Sequence, residues 1–369
     1  MSIYFFIEFV IFICFLFSFK KSQSQEKRLF YIAAFLFLFI EIFRSSVVGN
    51  DSPLYANFFS MKNLVGYGTV DKPDSTMEIG IVYYGHVLRY LFLNTNWYVP
   101  YFIFNAVFIF TPIFYLLNKH SSNKSLSLLW FMIIIHSGLL VGYFAMLRQL
   151  LGMSFLMYGY ILFENRVKFW QLWLPICWGV AMIFHNSIVI MEVILFGLYF
   201  ASGTKYIYYS AITVALIIRF LVFNYANSLF NILMIYTERF DSESRILRYQ
   251  DNFGETSSSL PNLFLLALTG YVFVYFSKKN ELHSFFLKCF IFAICIFIMM
   301  DSIHMVNRLS SLFFVFGLCG AIPVAIKKNK SIFYITIFIS LLFLIQVFIG
   351  YNNWPKTDST LPYYFMWEK

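Results

Sequence analysis

The chain has 369 residues, of which 60% are hydrophobic, 22% aromatic and only 12% charged. Soluble domains carry about 25% charge. Half that complement, with a mean hydropathy of +0.72, excludes a soluble enzyme, a disulfide-rich secreted module and a disordered chain. The apolar surplus must face lipid. The net charge of +9 then raises the question of which loops hold the basic residues, rather than pointing to nucleic acid.

The first 19 residues are apolar, with no basic residue ahead of Lys20-Lys21. They read as a retained first span whose N-terminus lies outside, not as a cleavable signal. Apolar runs that can cross a bilayer follow at 29–43, 98–117, 126–146, 149–163, 171–184, 188–201, 206–223, 261–276, 285–300, 309–326 and 331–350. Counted from an outside N-terminus, the inner loops are 20–28, 118–125, 164–170, 202–205, 277–284 and 327–330. Each contains lysine, the pattern that cytoplasmic loops show. Keeping that pattern requires a break in 171–201 near His185-Asn186-Ser187. The short run 79–93, with His86 and Arg89, reads as an amphipathic or re-entrant helix on the outer side. The expectation is an all-α integral membrane protein of about twelve transmembrane helices, both termini periplasmic. It is one polytopic domain over 1–369, with 44–97 and 224–260 as periplasmic loops. Cys14, Cys177, Cys289, Cys295 and Cys319 all lie inside apolar runs and read as small buried hydrophobes.

The basic residues also sort by type. This topology puts Lys20, Lys119, Lys168, Lys205, Lys278 and Lys327 inside, but leaves outside Arg44, Arg89, Arg148, Arg219, Arg239, Arg245, Arg248 and Arg308. Insertion accounts for lysine inside. It does not account for arginine outside, where the same rule works against it. Arginine stays charged near lipid and grips phosphate through a bidentate fork. Any one of these arginines could serve only a salt bridge; as a set they suit a polyanionic substrate at the outer face, such as a lipid-linked diphosphate.

Short polar motifs mark the same face. FRSSVVGNDSPLYANFF holds Arg44, Gly49, Asp51 and Tyr55, and Asp51 reads either as a helix cap or as a catalytic residue. Glu78-Ile79-Gly80 opens the amphipathic helix, and Arg148-Gln149 begins a later span. His185, with Asn186 and Ser187, sits where the chain reverses, as either a structural or a functional histidine. DSIHMVNRLSSLFF supplies Asp301, His304 and Arg308. No DxD, His-rich or carboxylate cluster argues for a metal.

In this order, Arg44, Gly49-Asn50-Asp51, Tyr55, Glu78-Ile79-Gly80, Arg148-Gln149, Phe184-His185-Asn186-Ser187 and Arg308 resemble the EpsG/Wzy family of polysaccharide polymerases. The resemblance covers about residues 40–320. It implies a GT-C-like glycosyltransferase of the bacterial inner membrane, with its active site on the periplasmic side. Such an enzyme polymerises undecaprenyl-diphosphate-linked repeat units of a surface polysaccharide, O-antigen or capsule, with no cofactor. A chain-length regulator is the protein partner such an enzyme admits. Arg44, Arg148 and Arg308 would then bind the diphosphate, and His185, Asp51 and Glu78 would be the catalytic candidates. His185 is favoured as base, since an imidazole titrates at about 6.5 and an aspartate at about 3.9. An O-antigen ligase or a lipid-linked oligosaccharide flippase are the alternatives.

Overall fold

The computed structural model describes residues 3–18, 22–45, 55–56, 79–93, 97–120, 147–185, 187–237, 260–300, 310, 312–317, 338, 341–342 and 345. Every regular element among them is an α-helix. In chain order these are α1 (Ile3–Ser18), α2 (Gln23–Ile42), α3 (Ile79–Leu91), α4 (Val99–His120), α5 (Leu147–Glu164) and α6 (Trp170–Phe184). They continue with α7 (Ser187–Phe200), α8 (Lys205–Thr237), α9 (Leu260–Phe276), α10 (Lys279–Leu282) and α11 (Phe285–Met300). Among the described residues, α4 is long and apolar enough to cross a membrane by itself; α6 and α7 are shorter apolar helices. Phe35, Val193, Phe200 and Tyr275 point outward as large exposed apolar groups, a surface suited to lipid and not to water.

The predicted break at 185 is present, because α6 ends where His185 takes an extended conformation (φ −163°, ψ 128°). The expected helix over 79–93 is α3. The segment 224–260 was expected outside the membrane, and α8 continues as helix into it through Thr237. Hydropathy marks where lipid contact ends, while backbone hydrogen bonding can carry a helix beyond it.

The chain divides into two compact units, Met1–Gly197 with Leu341–Lys369, and Leu198–Ser340. A single domain was expected, because the division falls inside the apolar helix α7, where composition gives no linker.

In the first unit, α4 packs on α2 and α5. Phe37 meets Phe110 edge-on at 4.8 Å, and Phe30 meets Phe114 at 6.2 Å. Pro112 lies inside α4 and has no N–H to give to the carbonyl four residues back, which is that of Phe108. Tyr158 on α5 supplies the missing donor, its hydroxyl reaching Phe108 O at 3.0 Å. Ser154 also spans the two helices, donating to Leu150 O at 2.7 Å and to Ile109 O at 3.4 Å. α5 and α6 approach closely because Gly159 faces Cys177 and Trp178, where a Cβ would come within 2.9 Å of the indole.

The loop ends predicted to lie inside meet within each unit. Lys119 Nζ lies 3.0 Å from Glu164 and donates to Asn165 at 2.6 Å, and His120 Nε2 lies 2.9 Å from the same carboxylate. Burial opposes ionisation of Glu164, but the hydrogen bonds and charges of His120 and Lys119 outweigh it and hold its carboxyl below the usual 4.5. The connection that follows turns tightly, with Arg166 and Phe169 at positive φ. The Arg166 guanidinium lies over Phe163 and Trp170 at 4.8 and 4.7 Å. In the second unit, Lys205 Nζ donates to Tyr275 O at 2.6 Å, and Lys288 caps the end of α7 through Tyr199 O and Ala201 O.

Candidate functional site

Four of the motif segments come together at one end of the first unit. Tyr55 is fully buried at 1% exposure, and its oxygen accepts from Arg148 Nε at 2.9 Å across 93 residues of sequence. A buried phenol needs such a partner. Nε is thereby committed to the protein, so a bidentate anion has to engage Arg148 from the Nη end of the guanidinium. Arg148 is half-buried.

Gly80 explains how α3 joins them. A Cβ there would stand 2.5 Å from the carbonyl oxygen of Ile183, so only glycine lets α3 lie against the end of α6. One turn on, Tyr84 meets the Phe184 ring edge-on at 5.6 Å and donates to Asn105 on α4 at 2.6 Å. Phe184 also stacks on Phe155 of α5 at 5.3 Å. Aromatic contacts from α3 and α5 thus fix the position of Phe184, next to His185.

His185 is half-buried and acts as a cap for α7. Its Nδ1 receives the backbone N–H of Ser187 at 3.2 Å and lies 2.8 Å from Ser187 Oγ, while its carbonyl accepts from Ile188 N at 3.0 Å. The register of α5 against α6 and α7 sets Gly159 against Cys177 and Trp178, and Gly152 against Ala181 and Ile188. Arg148 lies four residues before Gly152 on α5, and His185 four residues after Ala181, at the end of α6.

Arg44 differs from Arg148. It is 1% exposed, its guanidinium lies over Phe102 at 4.7 Å, and its Nη1 stands 3.5 Å from Oε2 of Glu41, which is 0% exposed. Arg89 and Arg219 are also buried. Glu41 had no role in the sequence reading, although its i, i+3 spacing to Arg44 was the available signal. Ser187, two residues after His185, was read only as part of a turn. Asp51, Glu78 and Arg308 lie outside the described residues, as do Asn50 and Asn186.

Comparison with known proteins gives one family. The model of the EpsG family matches residues 27–365. No curated protein and no solved structure matches.

Proposed function

The chain belongs to the EpsG family, a family of glycosyltransferase-like polysaccharide polymerases of the membrane, and from that premise we propose that it polymerises lipid-linked repeat units of a surface polysaccharide. The proposed substrate is an undecaprenyl-diphosphate-linked oligosaccharide at the periplasmic face of the inner membrane, and the product an O-antigen-type polymer. One observation supports this reading above the others: Arg148, Tyr55, Gly80 and His185, which belong to separate stretches of sequence, converge at one end of one unit.

In the transfer, a hydroxyl of the acceptor repeat unit attacks the sugar carbon bound to the diphosphate. The glycosidic C–O bond breaks, and the electron pair leaves with the diphosphate. Negative charge therefore grows on the leaving group, and a fixed arginine stabilises it most where water is scarce. Arg148 has that position in this proposal, with Arg308 as a second ligand and Arg44 supporting from within the protein. The acceptor proton goes to a base, for which His185 and Asp51 are the candidates and Glu78 a weaker one. Charge stabilisation is assigned to arginine and not to a metal.

Deletion of the gene tests the reading. Cells without a polymerase carry surface glycan of single repeat units, and the ladder returns when the wild-type chain is supplied. Complete absence of attached glycan would instead make the protein a ligase.

A further inference from the structure

We propose that the groove between α8 and α9 binds an anionic phospholipid, with the phosphate held at Lys205 and one acyl chain laid along an aromatic floor. The site belongs to the second unit and does not depend on the polymerase reading.

Ring contacts set the two helices antiparallel. Tyr209 meets Tyr271 at 5.7 Å and, farther along, Phe220 meets Phe264 at 5.8 Å. Beside the first pair a cleft of about 470 Å³ opens, lined by Tyr209, Tyr271, Val272, Tyr275 and Phe276. That volume suits a bound small molecule. The hydroxyls of Thr213 and Tyr271 are satisfied within the protein. Thr213 Oγ1 donates to Tyr209 O at 2.8 Å, so it accepts from the Tyr271 phenol, 2.7 Å away. What the cleft offers an occupant is apolar surface, with charge at one end.

That charge is Lys205. Its Nζ donates to Tyr275 O at 2.6 Å and lies 5.6 Å from the centre of the Tyr275 ring. An ammonium has three N–H groups, so two can turn toward a phosphate. Helix stability alone does not explain the residue. The bond satisfies a carbonyl in the last turn of α9, but a cation at the start of α8 opposes the helix dipole. Thr204 already caps that start through Ile207 N at 3.3 Å. Lys278 and Lys279 follow the end of α9 and are exposed. Glu281 offsets part of their charge, its carboxylate accepting from Lys278 N at 2.8 Å.

A cation above an apolar trough is complementary to an amphiphile with a negative head. From Lys205 to Thr213 a helix rises about 12 Å, within the roughly 15 Å of one leaflet, so head and chain fit the same half of the bilayer. The lysine pattern assigns this end to the cytoplasm, whose leaflet carries anionic headgroups.

The purified protein, in neutral detergent, is titrated with phosphatidylglycerol or with phosphatidylcholine of the same acyl chains, and bound lipid is counted by native mass spectrometry. Phosphatidylglycerol should bind about fivefold or more tightly. Lys205→Gln should remove most of that preference and Lys205→Arg should keep it. Val272→Trp fills the cleft but leaves each lysine in place, and should weaken binding of both lipids. Equal binding of the two lipids by the wild type overturns the proposal, and so does an undiminished preference in Lys205→Gln. Where Lys205→Gln does not fold, Val272→Trp decides, because wild-type affinity for phosphatidylglycerol in that variant excludes the cleft. A dimer that Val272→Trp converts to a monomer, with lipid binding unchanged, would make the groove an interface between copies and also overturn the lipid site.

Discussion

Arg44 and Arg148 were expected to share one task, yet their surroundings separate them. Arg44 is enclosed with Glu41 and Phe102, so removing it strands a carboxylate with no exposure to water. Breaking a buried ion pair from one side costs about 3–5 kcal/mol. Arg44→Ala should therefore lower the melting temperature and the yield of folded protein in membranes. Arg148→Ala should lower both by less, the cost of one unpaired phenol oxygen, and abolish polymer. Equal yields with equal polymer from both variants would make the two residues interchangeable and refute the distinction. Tyr55 acts on Arg148 through one bond, so Tyr55→Phe should raise KM for the lipid-linked substrate about tenfold without lowering yield. Its effect should nearly vanish in an Arg148→Lys background, where no Nε–H remains to be held. The sequence made Arg44, Arg148 and His185 legible as a set, because charge near lipid needs a reason. It could not show which were enclosed, since that depends on a phenylalanine some sixty residues away.

Helices in this chain are joined by groups that compensate for one another. Pro112 removes a donor from α4 and Tyr158 restores one from α5. Tyr158→Phe should destabilise the protein by about 1–2 kcal/mol, by leaving the Phe108 carbonyl unsatisfied. In a Pro112→Ala background the same change should be close to neutral, because the helix can then bond that carbonyl itself. Thermal unfolding of the four proteins in detergent measures the cycle, and additive effects would refute the coupling. At the other end, Glu164 ties α5 to Lys119 and His120 of α4, with its carboxyl held below 4.5. A depressed carboxyl stabilises fully above its unfolded value and loses that contribution as pH falls through its folded one. Melting temperature should therefore drop on acidification below about 4.5, and less so in Glu164→Gln. An unchanged acid profile in that variant would show that the tie does not matter. The break at His185 was legible because lysine parity demanded it. The length of α8 was not, because Asn224 and the polar residues after it look like the end of a span while the backbone goes on coiling.

At the scale of the molecule, the two units hold different shares of the candidate residues. Arg44, Tyr55, Arg148 and His185 lie in the first, and the residue number of Arg308 falls in the second. Lysine-bearing ends meet in each: 119 with 164 and 165, and 205 with 275. Reporter fusions after Lys119, Lys205 and Lys328 should therefore report cytoplasm, and fusions at Gly254 and the C-terminus periplasm. If Gly254 and Lys328 report the same side, the twelve-span arrangement is wrong. Composition made the membrane class legible at once, since 22% aromatic content has no place in a soluble interior of this size. The division into units was not legible, because it runs through an unbroken apolar helix.

The bond between Tyr55 and Arg148 also sets a timetable. A membrane chain emerges from the ribosome N-terminus first, and 93 residues separate the two partners. At roughly 5–20 residues per second, Tyr55 waits on the order of 5–20 s before Arg148 has been made. Until α5 inserts, nascent chains lack the arginine and the enclosure that the phenol needs. On the proposed function, a chain truncated before α5 therefore lacks the arginine that would hold the lipid carrier.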